Sequence, residues 1–197
     1  MSRVALISIL AVTATVAIAV TGCQATRAGY ETAPYQVVRR DGAVEIRTYP
    51  PLRIAETPTG GDDFMRLFRY ISGGNSAEQK IAMTTPVFMN AEDRSERSMA
   101  FVLPATLTAP PSPKNDRVTV REVAGGTFAV VRFHGARQTA EGAAATRLKA
   151  WLSAQAITPL ERPKFAYFDP PWTPGFLRRN EVMVRIAAAT NSAAALK

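Results

Sequence analysis

Residues 35–57 read YQVVRRDGAVEIRTYPPLRIAET. Apolar and polar side chains alternate over Tyr35–Arg40 and again over Val44–Tyr49, the period of a half-buried strand. Asp41-Gly42 stands between the runs, and both residues tolerate the positive φ of a tight turn, so the pair predicts a β-hairpin. Leu52–Thr57 predicts a third strand after Pro50-Pro51.

Further along, the pattern changes period. Phe64, Leu67, Phe68 and Ile71 recur at helical spacing, Asp62 or Asp63 can cap the start, and Gly73-Gly74 stop the run. Met83–Met89 and Met99–Leu103 predict strands on either side of a charged turn. The proline-rich stretch 104–116 marks a connector. Beyond it the order repeats: strands at Val118–Val123 and Thr127–Phe133, then a helix capped by Thr139 with the stripe Ala144, Leu148, Trp151 and Leu152. Strands at Phe165–Phe168 and Val182–Ile186 close the chain. Two halves, about 35–103 and 117–187, thus share one order of elements at an offset of roughly 75–85 residues. Adjoining strands outnumber helices, which predicts an α+β fold with a mainly antiparallel sheet and two helices on one side. Closure into a distorted barrel would remove exposed edges.

The N-terminal segment has a different character. Arg3 precedes Val4–Val20, which contains only Val, Ala, Leu, Ile, Ser and Thr, and Val20-Thr21-Gly22-Cys23 follows. Charge, apolar run and small residues in that order predict a secretory signal over 1–22. The last four residues resemble a bacterial lipoprotein box, with Cys23 the lipidated first residue of the mature chain and 23–34 a tether. An uncleaved anchor helix and ordinary cleavage without lipid are the alternatives; the apolar run falls short of the ~20 residues that span a bilayer comfortably. Gln24 after the cysteine favours outer-membrane sorting in a Gram-negative envelope, facing the periplasm. Residues 188–197 read as a C-terminal tail.

Composition excludes several chemistries. One cysteine and one histidine, His134, build no conventional zinc site and no intramolecular disulfide. The formal charge of +8 is dispersed, with no cationic run longer than Arg39-Arg40 or Arg178-Arg179. Such spacing suits a solvated basic surface rather than a nucleic-acid footprint. The chain contains no nucleophile elbow, phosphate loop, HExxH or CxxC. Asp62-Asp63 could be a paired carboxylate, but adjacent acids at a helix start serve as cap and dipole partner.

Four stretches resemble the SOUL haem-binding family: VEIRTYPPLRIAET, the helix ending in RYISGGN, KIAMTTPV at 80–87, and DPPWTPGFLRRNEV at 169–182. Their order and spacing agree with that family from about Tyr35 to Ile186. The resemblance implies a duplicated βαββ-type unit forming a distorted antiparallel barrel with two helices. It also implies non-catalytic, non-covalent binding of haem or another porphyrin in an apolar groove beside the first helix.

A porphyrin is an apolar disc with carboxylates at one edge, so its site needs flat apolar contact and cations at the rim. On the first helix Phe64 and Phe68 are candidates for the contact, and Arg66 and Arg69 for the propionates. Core packing and a wet helix face are the corresponding structural readings. Met83 and Phe88, with Trp172 and Phe176 of the proline-rich loop, are candidates for the opposite wall. Thr84 and Thr85 read as backbone ties. His134 is the one imidazole available to iron; it follows a strand where relatives carry a small residue, which argues against axial ligation. The expected function is a haem or tetrapyrrole binder of the bacterial cell envelope, tethered to the membrane through Cys23. The alternative is an interaction or small-hydrophobe-binding module on the same fold without haem.

Overall fold

The computed structural model describes residues 29–90, 97–135 and 137–188. The signal segment, Cys23 and the last nine residues lie outside that range. Among the described residues eleven strands run in chain order: β1 (Glu31–Thr32), β2 (Gln36–Asp41), β3 (Val44–Tyr49), β4 (Leu52–Pro58), β5 (Thr84–Thr85), β6 (Val87–Asn90), β7 (Ser98–Val102), β8 (Thr119–Val123), β9 (Gly126–Phe133), β10 (Lys164–Tyr167) and β11 (Asn180–Ile186). Helix α1 (Asp63–Ile71) follows β4, and α2 (Arg137–Ala154) follows β9, starting two residues before the expected Thr139 cap.

Nine strands form one antiparallel sheet in the order β2-β3-β9-β11-β10-β6-β7-β4-β8. Leaving out β2, this order is a palindrome of the two halves: β6 matches β10, β7 matches β11, β4 matches β9 and β3 matches β8. The duplicated βαββ unit is therefore written into the strand pairing.

The connections force the sheet to curl. β3 and β4 lie six strand positions apart, roughly 29 Å in a flat sheet, yet only Pro50 and Pro51 join them. Ala124 and Gly125 join β8 to β9 across the same separation. Three Cα–Cα steps reach at most roughly 11 Å, so the two sheet ends must approach one another. They meet at Gly125, where a Cβ would stand 2.5 Å from the Tyr49 carbonyl oxygen. The edge strands β2 and β8 do not pair, and the result is a distorted, incompletely closed barrel.

Alternation then assigns each side chain to a face. The concave face buries Tyr49, Leu52, Ile54, Phe88, Phe128 and Met183. On the convex face, Ala144, Leu148 and Leu152 of α2 pack on Ile46, Val131 and Val184. Leu67, Tyr70 and Ile71 of α1 pack on Ala55, Met99 and Phe101.

Three local expectations differ from the structure. Met83–Met89 is two short strands, because Pro86 lacks an N–H and interrupts the ladder; the Thr85–Pro86 peptide is cis. Residues 31–34 belong to the folded body: β1 pairs in parallel with β5 and Ala33 is buried. Of the two candidate caps, Asp62 makes no side-chain cap bond and pairs instead with Arg69 at 3.0 Å, while Asp63 Oδ1 accepts from the Phe64 amide at 3.0 Å. The helix does stop at the glycines, with Gly73 at φ +110°.

Candidate functional site

Helix α1 packs chiefly on β4 and β7, and α2 on β9 and β11. The strands between them, β6 and β10, form the floor of a convex trough. Their outward residues are paired in register, Val87 with Tyr167 and Met89 with Phe165, and all four are half-buried. Phe101 of β7 lies beside Val87, and the Phe64 ring stands edge-on to it at 5.4 Å. One apolar row therefore runs Phe64, Phe101, Val87, Tyr167. From β7 to β10 it crosses two strand spacings, roughly 10 Å. On the far side the Tyr167 hydroxyl donates to Glu141 of α2.

The α1 wall is open. Phe64 and Phe68 stack at 6.1 Å with their planes 12° apart, and they remain 40% and 43% exposed. Met65 beside them is 41% exposed. A near-parallel aromatic pair left partly in water on the outer side of an amphipathic helix is a flat apolar platform. Arg69 follows on the wet side, in a surface pair with Asp62.

The other candidates lie elsewhere. Arg66 is turned inward and buried; its guanidinium donates to Thr57 Oγ1 at 3.0 Å and to the carbonyls of Pro58 (2.8 Å) and Gly60 (3.3 Å). It fixes the β4–α1 connection and offers nothing to a ligand. Phe88 points to the concave face, opposite Val87 and Met89, because neighbours in a strand alternate. Met83 packs into the core beneath α1 rather than forming a facing wall. Trp172 and Phe176 are 80% and 76% exposed on the β10–β11 connection. Phe64 takes its ring contacts from Phe68 and Phe101 instead.

His134 Nδ1 lies 2.7 Å from the Arg178 carbonyl oxygen and donates to it, tying the β9 end to the β10–β11 connection. Arg178 in turn holds that connection from within, donating to the carbonyls of Thr173 at 2.6 Å and of Pro171. Thr84 Oγ1 donates to the Val102 carbonyl at 2.6 Å, and Thr85 shares a hydroxyl bond with Thr32 at 3.0 Å.

The concave face holds a buried ionic cluster. Arg47 donates to both oxygens of Glu181, at 2.6 and 2.9 Å, and Arg179 donates to Oε1 at 2.7 Å. Tyr35 accepts from Arg179 at 3.0 Å and lies under the Arg47 guanidinium at 4.2 Å. Burial alone would raise the Glu181 carboxyl, but the two arginines outweigh it and hold it below the usual glutamate range. Burial pushes the Tyr49 hydroxyl up. Arg47 of β3 and Arg179 both donate to Glu181 of β11, so the cluster locks β3 to β11 across the sheet.

The model of the family described as "SOUL heme-binding protein" matches residues 30–185, almost the whole folded body. The chain belongs to the SOUL family. The SOUL domain is also 28% identical over 160 residues to "Heme-binding protein 1" of Xenopus tropicalis, covering 73% of this chain and 84% of that one. Among solved structures it resembles EcmrR in its DNA complex, with a TM-score of 0.57 and 13% identity over 78% of this chain. The match takes in only 57% of that longer chain. The EcmrR C-terminal domain alone matches with a TM-score of 0.53 and 12% identity, over 77% of this chain and 97% of that one. At these identities the two EcmrR similarities concern the fold alone.

Four trough residues escaped the sequence reading: Val87, Met89, Phe165 and Tyr167. Strand alternation groups each pair on one face, but only the pairing of β6 with β10 brings the two pairs together.

Proposed function

We propose that this SOUL protein binds haem or a related tetrapyrrole, non-covalently and without catalysing a reaction, in the trough between α1 and α2. The observation that carries the reading is the exposed Phe64–Phe68 stack beside two strands that lie between the helices in the sheet. Phe64, Phe68 and Met65 supply flat contact, the half-buried Val87, Met89, Phe165 and Tyr167 supply a floor, and Arg69 supplies an edge cation. The surface pair of Arg69 with Asp62 is worth little in water, so a propionate can replace it. Haem, when bound, supplies an iron centre and an absorbing ring; the chain supplies apolar area and rim charge. The one imidazole, His134, stands at the end of β9 with Nδ1 on the Arg178 carbonyl and is not part of the row of trough residues, so binding rests on that area rather than on a histidine bond. The name of the Xenopus relative supports the same ligand class.

The same proposal puts the domain on a bacterial envelope membrane through lipid on Cys23. Supporting it, the chain enters the fold at Glu31–Thr32, beside Thr84–Thr85, and Tyr35 bonds to Arg179 at the end of the β10–β11 connection. Trp172 and Phe176 belong to that same end, and aromatic residues of this kind favour membrane interfaces. From Cys23 to Glu31 the chain reaches at most roughly 28 Å, which keeps this end near the lipid.

Haemin titration of the purified chain tests the ligand. Saturable binding with a shifted Soret band and quenched tryptophan emission is expected. Absence of both at micromolar haemin overturns the haem reading, and a co-purifying non-tetrapyrrole hydrophobe would then favour the small-hydrophobe module.

A further inference from the structure

The curled sheet encloses a second space, on the face opposite the trough. This concave cavity measures about 350 Å³, within the range of small-molecule sites. Leu52, Ile54, Phe88, Phe128 and Met183 form its apolar lining. Two cations stand over one of its rings: Lys164 Nζ lies 4.9 Å from the Phe128 centroid, and the Arg185 guanidinium carbon 5.2 Å. Lys164 also reaches within 6.0 Å of the Phe88 ring.

The anion on these cations comes from a neighbouring turn. Glu161 Oε1 lies 2.9 Å from Lys164 Nζ, and Oε2 lies 3.7 Å from Arg185 Nε. Glu161 differs in this from Glu56 on the cavity wall. Glu56 is locked by Arg121 at 2.7 Å, Ser98 at 2.6 Å and Asn90 at 3.3 Å. A carboxylate at the mouth of an apolar cavity, bridging two cations stacked on an aromatic floor, occupies the place where an anionic headgroup would sit.

We infer that the concave cavity is a binding site for a compact amphipathic carboxylate, whose headgroup takes the place of Glu161 on Lys164 and Arg185 while its apolar body lies on Phe128, Phe88 and Met183. Glu161 then acts as a built-in competitor that keeps the cations neutralised until a ligand arrives. Cation–ring contacts hold the two basic groups in position throughout. This site is independent of the tetrapyrrole trough and shares none of its residues.

The methionines distinguish the two faces, since Met183 lines the cavity while Met65 and Met89 belong to the trough. With the full chain carrying ¹³C-methyl methionine, 2-naphthoate is expected to shift the Met183 signal and to leave Met65 and Met89 in place. Glu161→Gln should tighten naphthoate binding several-fold by removing the competitor. Lys164→Met should weaken it about tenfold, the scale of one hydrogen bond to a charged group. A thermal melt confirms that each variant folds. Unmoved Met183 at millimolar naphthoate, or a shift confined to Met65 and Met89, overturns the inference. So does a Glu161→Gln affinity no better than the parent's. Protoporphyrin added to the same sample reads Met65 and Met89 separately, so failure of the trough reading is seen independently.

Discussion

Truncating both rings of the platform, in Phe64→Ala/Phe68→Ala, tests the trough most directly. About 40% of each side chain faces water, which for an aromatic of roughly 200 Å² leaves about 80 Å² open to a ligand. Full coverage at roughly 25 cal/mol per Å² would contribute about 2 kcal/mol per ring. A flat disc meets one face of each, so about half that, or ~1 kcal/mol per ring, is the working figure. Losing both should raise the haemin Kd about 30-fold, at a tenfold change per 1.4 kcal/mol. The inner edge of Phe64 packs on Phe101, so the double variant also melts earlier, and titrations belong well below its midpoint. Phe88→Leu is the control: it perturbs the concave core and should leave haemin affinity unchanged. An unaltered Kd in the double variant, or an equal loss in Phe88→Leu, refutes the assignment of the disc to α1.

Other consequences follow from the same geometry. His134→Ala should leave the Soret band and haemin Kd unchanged and cost ~1 kcal/mol or less in urea unfolding, since it removes one bond to the Arg178 carbonyl. Glu181→Gln strands Arg47 and Arg179 in a dry interior and should destabilise the fold by about 3–5 kcal/mol, while Glu181→Leu combined with Arg47→Met and Arg179→Met should recover much of that in the same measurement. In acid, Glu181, Glu45 and Glu56 all have carboxyls held below the ordinary range: burial opposes this in each, and arginine partners outweigh it. Their stabilisation is therefore complete above the unfolded value of about 4.3 and lost as pH falls through the lower folded values; urea midpoints should stay level down to about pH 5 and drop below about 4. Gly125→Ala would drive a methyl into the Tyr49–Pro51 backbone and should cost about 1–3 kcal/mol, read as a lower melting temperature.

How much of this could be read from the chain depends on range. Val44–Tyr49 has the bounds expected because its alternation is complete and its limits are a turn glycine and a proline. Helix α1 announces itself by apolar spacing and a glycine stop. What local pattern cannot show is which strands pair across the halves, and the trough exists only because β6 meets β10. The same gap explains Phe88 and Arg66. Alternation separates Phe88 from Val87 and Met89, but only the seat of α1 tells which of those faces is convex. Helical spacing groups Arg66 with Arg69, yet the β4 end and Gly60 draw the Arg66 guanidinium inward. Strand β1 has two residues and no period to detect. Glu181 and Arg47 meet across 134 positions, and no window spans that.

A further asymmetry separates frame from ligand. The most distinctive motifs of the chain are spent on structure. Asn75, closing RYISGGN, is fully buried and donates to the carbonyls of Tyr70 and Gln79 while accepting from the amides of Ala77 and Gln79. The threonines of AMTTPV tie β5 to β7 and β1. In RRNEV, Arg178 braces its own loop while Arg179 and Glu181 lock the concave cluster. None of these groups is free to touch a porphyrin. The residues of α1 left exposed, Phe64, Met65, Phe68 and Arg69, form an ordinary-looking helical turn whose meaning comes from exposure alone. A match to the family's motifs therefore reports chiefly on the barrel, and under the proposed function ligand choice rests on that one turn of α1. Replacing this turn while the motifs stay intact should preserve the melting behaviour of the fold and abolish tetrapyrrole binding; loss of both together would mean that frame and ligand site are not separable.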